Sequence, residues 1–334
     1  MAKMSKSNRM DVPDPDSPSP AAVPIDLAAT YRPADRYGWL AVTGARLRYA
    51  CWNASGTTTR GTVVVLTGRA EFIEKYATEV VGELLGRGYA VIALDWRGQG
   101  LSDRPLPQEH DAGHIDRFET YVTDLKAFLD TIVAPLAKGP VFALCHSMGG
   151  HIMLRALAEY GSAPFAGAAV TSPMTGLQRE AFLRSILMLL PEIPTIEHRY
   201  LFGTGPFVFL ARDFHSNHVT HDERRYRWTE AWFAADPRLS EGGPTVGWAR
   251  QAARSISACL APGYLERIDL PVLLMTAGQD QVINPASHGP VVARMRRAEH
   301  VTFAAARHEI MMETDDIRAR FWQSFDDFVA TLSS

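Results

Sequence analysis

Cysteine is scarce in this chain of 334 residues: Cys51, Cys145 and Cys259 stand far apart and without CxxC spacing. Neither a disulfide framework nor a thiolate zinc site is supported, and a reducing compartment is the natural setting. Long apolar runs are missing as well. None approaches the roughly 20 residues that a spanning helix needs, so the chain is expected to be soluble or to lie on a membrane surface. Charge of one sign is not in excess either: 34 Lys and Arg stand against 37 Asp and Glu, for a net charge of −3. Without a basic cluster to neutralise phosphates, a nucleic-acid partner is excluded. Pieces such as "GQG" and "GTG" lack both the Walker pattern and the dinucleotide fingerprint, so no cofactor is expected.

The segment "MAKMSKSNRMDVPDPDSPSPAAVPIDLAATYRP" has early Lys and Arg but no apolar run behind them, unlike a secretory signal. Its Pro and Ser content predicts a disordered tail over residues 1–34. A cytoplasmic location follows as the expectation, with peripheral contact on the inner membrane face as the alternative.

What is present is ample core material, 46% hydrophobic residues in all. Short β-rich runs recur: "GWLAV" (38–42), "RLRYACW" (46–52), "TVVVLTG" (62–68), "AVIALD" (90–95), "PVFALC" (140–145), "GAAVTS" (167–172), "PVLLMTAG" (271–278) and "HVTFAAA" (300–306). From residue 62 onward they are nearly continuous in hydrophobicity, as parallel strands covered on both faces are. The first two alternate more, as an antiparallel edge does. Between the runs lie amphipathic helices. Ile115, Phe118, Tyr121, Val122, Leu125, Phe128, Leu129 and Ile132 form one apolar face, and Ile317, Phe321, Trp322, Phe325, Phe328, Val329 and Leu332 another. Strand and helix repeated in this way predict a mostly parallel, doubly wound α/β sheet. The alternation lapses over residues 173–267, which are too long for a plain loop and are read as an inserted, mainly helical cap. Residues 35–172 and 268–334 then make the core. Within the cap, residues 179–190 place Phe182, Leu183, Ile186, Leu187 and Leu190 on one helical face, either packing onto the body, or lining an apolar channel or touching a membrane surface.

The stretch "VFALCHSMGGHIMLRAL" runs a strand into a helix through Ser147. A serine on such a corner is exposed above the sheet, with the helix N-terminus beside it. Gly149 follows two residues on, but Cys145 stands where G-x-S-x-G has its first glycine; it is read as a packing residue. A hydroxyl needs a base, and the base needs a carboxylate to orient it. Asp280, beyond the strand "LLMTAG", and His308, beyond the last strand, supply both in the order Ser, Asp, His. The ends of parallel strands are where such groups collect. Two backbone N–H groups complete the set as oxyanion donors: Met148, next to the nucleophile, and Arg69, after the turn at Gly68. The Arg69 side chain is expected to pair with Glu71 or Glu74. Asp95, which precedes the serine, is expected to brace its own loop. His215, His218 and His221 are spaced like a metal box but no Cys or paired carboxylate completes it, and His110, Asp111 and His114 are read as a polar loop near the rim, so no metal is expected.

The stretches "LTGRAEFIEKY", "ALDWRGQGLSDR", "CHSMGG", "AGQDQVI" and "ARHEIMME" together resemble the α/β-hydrolase family of monoacylglycerol lipases and bacterial lysophospholipases. The segment "HVTHDERRYRWTEAWFAADPRLSEGGPTVGWARQA" is similar to the cap of the lysophospholipase branch, and the likeness runs over residues 35–332. It implies an α/β-hydrolase fold and a serine esterase acting on single-chain lipid esters, lysophospholipid or monoacylglycerol. Ser147, Asp280 and His308 would be the triad, Arg69 and Met148 the oxyanion donors. Two alternatives stay open: an esterase or thioesterase on small non-lipid substrates, and a non-catalytic ligand-binding protein of the same fold.

Overall fold

The computed structural model describes residues 17–20, 22–54, 59–106, 111–177, 187, 189–208 and 213–332. Eight strands form one sheet in the order β1-β2-β4-β3-β5-β6-β7-β8. They are β1 (Arg36–Val42), β2 (Ala45–Trp52), β3 (Gly61–Leu66), β4 (Tyr89–Leu94), β5 (Val141–His146), β6 (Phe165–Thr171), β7 (Val272–Ala277) and β8 (Ala298–Phe303). Each of the eight apolar runs becomes a strand. β1 and β2 pair antiparallel, β2 joins β4 antiparallel, and every pairing from β3 to β8 is parallel. The fold is that of an α/β hydrolase.

Side-chain alternation along the strands divides the core into two layers. Val64 and Leu66, Ile92 and Leu94, and Ala143 and Cys145 face α3 (Phe118–Phe128), α4 (Ser147–Tyr160) and α6 (Val246–Cys259). Val63 and Val65, Val91 and Ala93, and Phe142 and Leu144 face α1 (Ile73–Ala77), α2 (Val80–Gly86) and α7 (Asp315–Leu332). Both faces are covered, which is why the central strands are apolar almost throughout. The apolar stripe of α7 buries Phe321, Trp322, Phe325, Phe328 and Val329. The stripe of α3 continues past Phe128 through a π-turn, Leu129–Val133.

Between β6 and β7 the described residues form helices and turns joined by isolated bridges, chiefly α5 (Glu223–Ala235) and α6. They do not act as one piece. Ala252 and Ile256 of α6 lie in the same core layer as Phe118, Leu125 and Ile152, so α6 belongs by packing to the body. Trp232 of α5 donates its indole N–H to Thr78 Oγ1 at 2.9 Å, tying the opposite layer. Most of the 179–190 stripe lies outside the described residues; of its members Leu187 is buried and Leu190 partly so.

Residues 27–32, read as part of the tail, pack against the body. Leu27 and Tyr31 are buried, Tyr31 packs edge-on against Trp232 at 4.9 Å, and the Arg32 carbonyl accepts from Trp52 Nε1 at 2.8 Å. The reason is local: "IDLAATY" has apolar and aromatic side chains to bury, which the Pro- and Ser-rich stretch before it lacks.

Candidate active site

β5 ends at His146 and α4 begins at Ser147, with no residue between them. Ser147 takes φ 49°, the left-handed region that costs a non-glycine residue energy and is kept only where the surroundings demand it. The crowding around it explains the small residues nearby. A Cβ on Gly149 would fall 2.5 Å from the carbonyl oxygens of Leu66 and Thr67, and one on Gly68 would fall 3.2 Å from Ser147 Cβ. β3, its following loop and the start of α4 therefore approach each other through hydrogen atoms alone.

Ser147, His308 and Asp280 meet in one hydrogen-bonded line. His308 Nε2 lies 3.0 Å from Ser147 Oγ, and His308 Nδ1 lies 2.6 Å from Asp280 Oδ2. All three are buried. Asp280 Oδ1 accepts from the backbone N–H of Val282 at 2.8 Å and of Ile283 at 3.0 Å, so the carboxylate is held at both ends. Burial pushes its carboxyl up, but the bond to His308 and the two N–H groups outweigh that and leave it below the ordinary carboxylate value. Asp280 thus stays ionised beside the imidazole. The third imidazole edge is closed by His146, whose ring sits 4.8 Å from that of His308. Burial pushes His146 down to about 4, so it packs there uncharged.

Met148 follows the serine directly, and Gly68, the residue before Arg69, packs against it. Met148 is the second residue of α4, among the first N–H groups of a helix that have no intrahelical acceptor. Arg69 follows Gly68, and its backbone N–H has no acceptor among the described residues. Its loop is fixed by two side chains that sequence reasoning missed. Glu71 Oε2 accepts from Gly68 N–H at 2.5 Å, and Gln99 Oε1 accepts from Ala70 N–H at 2.6 Å. Ala70 itself has φ 58°. Gln99 also donates to the Met148 sulfur at 3.7 Å, so it ties the Arg69 loop to the start of α4.

Behind this loop is a buried charge network. Lys75 Nζ lies 2.7 Å from both Glu71 Oε1 and Glu309 Oε1, and Tyr76 donates to Glu71 Oε2 at 2.7 Å. Burial pushes Glu71 up, but the Lys75 charge, with the hydrogen bonds from Lys75 and Tyr76, outweighs it and holds the carboxyl at about 2. Burial keeps Glu309 above its ordinary range despite Lys75. The spacing of Glu71 and Lys75, four apart, was the only sequence signal.

The Arg69 side chain pairs with neither Glu71 nor Glu74. Its Nη1 bonds Glu241 Oε1 at 2.8 Å and the Gly242 carbonyl at 3.2 Å. Glu71 is taken by Lys75, and Glu74 by a bidentate contact with Arg48 at 2.7 Å, which left both unavailable. Asp95 braces its surroundings as expected, accepting from Leu101 N–H and Ile73 N–H at 2.9 Å and contacting Arg48 at 2.6 Å. Cys145 is fully buried in the helix-facing layer, and burial pushes its thiol up. His221 pairs with Glu313 at 2.8 Å and His114 with Thr245 at 2.9 Å; His110 lies outside the described residues. No group of three or more His, Cys, Asp and Glu is arranged to hold a metal among the described residues.

A cavity of about 540 Å³ is lined by Arg69, Ala70, the segment from Gly203 to Val208, and Glu241 to Pro244. Another, of about 810 Å³, lies by β1 and α3 among Arg97, His114, Asp124 and His198 and includes none of the three hydrogen-bonded residues. No helix among the described residues is long and apolar enough to cross a membrane.

Such a sheet, with a Ser–His–Asp line at its strand ends, defines a serine hydrolase of the α/β-hydrolase class. Residues 57–315 match the model of the family described as serine aminopeptidase, S33, and the chain belongs to that family. It is 33% identical to lysophospholipase L2 of Escherichia coli over 80% of this chain and 79% of that protein. It is 32% identical to mouse monoglyceride lipase over 37% of this chain and 38% of that protein. Among solved structures, a soluble variant of monoglyceride lipase from Saccharomyces cerevisiae superposes with a TM-score of 0.69 at 18% identity, covering 91% of this chain and 96% of that one. That last likeness speaks to the fold.

Proposed function

We propose that this protein hydrolyses the acyl ester of a single-chain lipid through an acyl-enzyme on Ser147. The observation that carries the reading is the unbroken line from Asp280 through His308 to Ser147, with the serine held in the left-handed region. In the proposed cycle His308 Nε2 takes the Ser147 proton as Oγ attacks the ester carbonyl, and Asp280 supports the resulting imidazolium. The N–H groups of Arg69 and Met148 stabilise the oxyanion. His308 then protonates the leaving alcohol, and a water activated by the same imidazole releases the fatty acid. No cofactor is needed for any step.

The lipid class rests on the relatives named lysophospholipase L2 and monoglyceride lipase. The exposed apolar side chains Leu189, Ile193, Phe202 and Val208, the last of which lines the 540 Å³ cavity, favour delivery of substrate from a membrane surface. A peripheral position on the inner membrane face is proposed accordingly. Turnover of acyl-matched lysophosphatidylethanolamine and monoacylglycerol, compared with short p-nitrophenyl esters, an acyl thioester and aminoacyl p-nitroanilides, tests the reading. Preference for the lipid esters is expected; preference for the anilides would establish a peptidase instead, and for the thioester or short esters a non-lipid esterase.

A further inference from the structure

The Arg69 guanidinium lies beside the acyl-transfer site yet is only partly used by the protein. Its residue follows Gly68, which packs against Ser147, and its side chain enters the 540 Å³ cavity. Nη1 is taken by Glu241 and the Gly242 carbonyl, while Nε and Nη2 have no acceptor among the described residues. The side chain keeps 28% exposure, against 2% for Glu241. Its plane is also backed by the Trp248 ring, 5.6 Å away, which holds the fork in place. Glu241 has its second oxygen buried without a hydrogen-bond partner. A fixed cation with two unused N–H edges, one residue from the oxyanion loop, is an anion-reading group.

We propose that the Arg69 side chain is a specificity determinant that recognises the phosphodiester of a lysophospholipid, so that the ester of a charged head group is preferred over that of plain glycerol. The inference rests on the ester-hydrolase reading above. In a lysophospholipid the phosphodiester is joined to the scissile ester through the three carbons of glycerol, so an ester at the oxyanion donors places its phosphate near the start of the Arg69 side chain. The guanidinium offers a fork of donors to phosphate oxygens. Glu241, itself buried, holds the fork through Nη1 and leaves the exposed edge of the guanidinium to the phosphate.

The test is the ratio of kcat/KM for lysophosphatidylethanolamine to that for the acyl-matched monoacylglycerol, in wild type, Arg69→Met and Glu241→Gln. Charge-assisted bonds of this kind are worth about tenfold to a hundredfold in binding. Arg69→Met should lower the ratio by at least about tenfold. Glu241→Gln, which removes the competing carboxylate charge but keeps an oxygen for Nη1, should leave the ratio level or raise it. If Arg69 only latches the oxyanion loop to the insertion, both variants lower both substrates by one factor and the ratio stays put, which overturns the proposal. Glycerophosphoethanolamine should inhibit wild type competitively and Arg69→Met far less. Inorganic phosphate inhibiting equally well would mark a free-anion site and overturn the head-group assignment. A wild type that hydrolyses neither lipid sinks the ester-hydrolase reading itself, whereas turnover of both lipids with an unmoved ratio sinks only this one.

Discussion

Removing the Lys75 ammonium should cost more stability than almost any other single charge change, and the cost should shrink in acid. Lys75 is 7% exposed and bridges two carboxylates, Glu71 and Glu309, at 2.7 Å each. At an effective dielectric of 20, one contact at that distance carries a gross attraction of about 6 kcal/mol. Much of this offsets desolvation, so the relevant figure is the measured loss when one partner of a buried pair is removed, about 3–5 kcal/mol. Lys75→Met keeps the aliphatic stem and strands both carboxylates. In the wild type, Glu71 is held at about 2, so its stabilisation is complete above its ordinary value and is lost only as pH falls towards about 2. In the variant the sign reverses. Carboxyls that are buried without a cation have raised pKa values, so the folded state binds more protons than the unfolded one and gains stability as pH falls. Urea denaturation at pH 8 and pH 5.5 should show a deficit of about 3–5 kcal/mol that narrows markedly at the lower pH. Glu309→Gln added to Lys75→Met should recover part of the loss at pH 8. A deficit under about 1 kcal/mol, or one unchanged between the two pH values, would refute the network as described.

Ser147→Ala should abolish labelling by a fluorophosphonate and lower turnover by roughly four or more orders of magnitude, leaving only what the donors and binding supply; retained labelling removes Ser147 as nucleophile. Gly149→Ala should destabilise by about 1–3 kcal/mol, because its Cβ meets backbone oxygens 2.5 Å away that cannot rotate aside, and kcat should fall as the Thr67 to Arg69 loop is displaced. An unaltered melting temperature and kcat would contradict that packing. Unfolding free energy should also decline on acidification. His146, His288 and His114 are pushed down by burial to about 4, and His151 to about 3. Between about pH 6.5 and 4 the unfolded chain therefore binds more protons at these four sites, and their stabilisation, complete above 6.5, is lost through that window. Asp95, raised by burial to about 6, works in the opposite sense, as do Asp124, Glu241 and Glu309, whereas the lowered carboxyls of Glu71, Glu79 and Asp280 act with the histidines. A midpoint that stays flat or rises from pH 7 to 4.5 in chemical denaturation would contradict the burial of neutral imidazoles.

The sheet was legible because buried parallel strands advertise themselves through composition, as "TVVVL" and "VLLMTA" do, whatever lies beside them. The Ser147, Asp280 and His308 line was legible for a related reason: each follows a strand, and strand ends in a doubly wound sheet converge on one rim. Partners joined only by tertiary packing left no such trace. Glu241 is 172 residues from Arg69, and Gln99 meets Ala70 across 29. Both lie in segments without regular periodicity, so nothing local marks them. Lys75 reads as a solvated helix charge until β3, α1 and the loop after β8 are placed together around it. The place of α6 was hidden differently: its apolar positions suit either an insertion or a body helix, and only contact with α3 and α4 distinguishes them.

The presence of Cys145 where related elbows carry glycine follows from where the steric demand falls. Residue 145 lies in regular strand pairing, opposite Leu66 on one side and Val170 on the other, and its side chain enters the helix-facing layer among apolar neighbours. Nothing there requires a positive φ. The strained backbone is at Ser147, and the contacts that admit no Cβ are at Gly149 against the β3 carbonyls and at Gly150 against Val170. The corner's requirement for glycine is thus placed on the helix side of Ser147. On the strand side a small apolar group suffices, and a buried, protonated thiol is one.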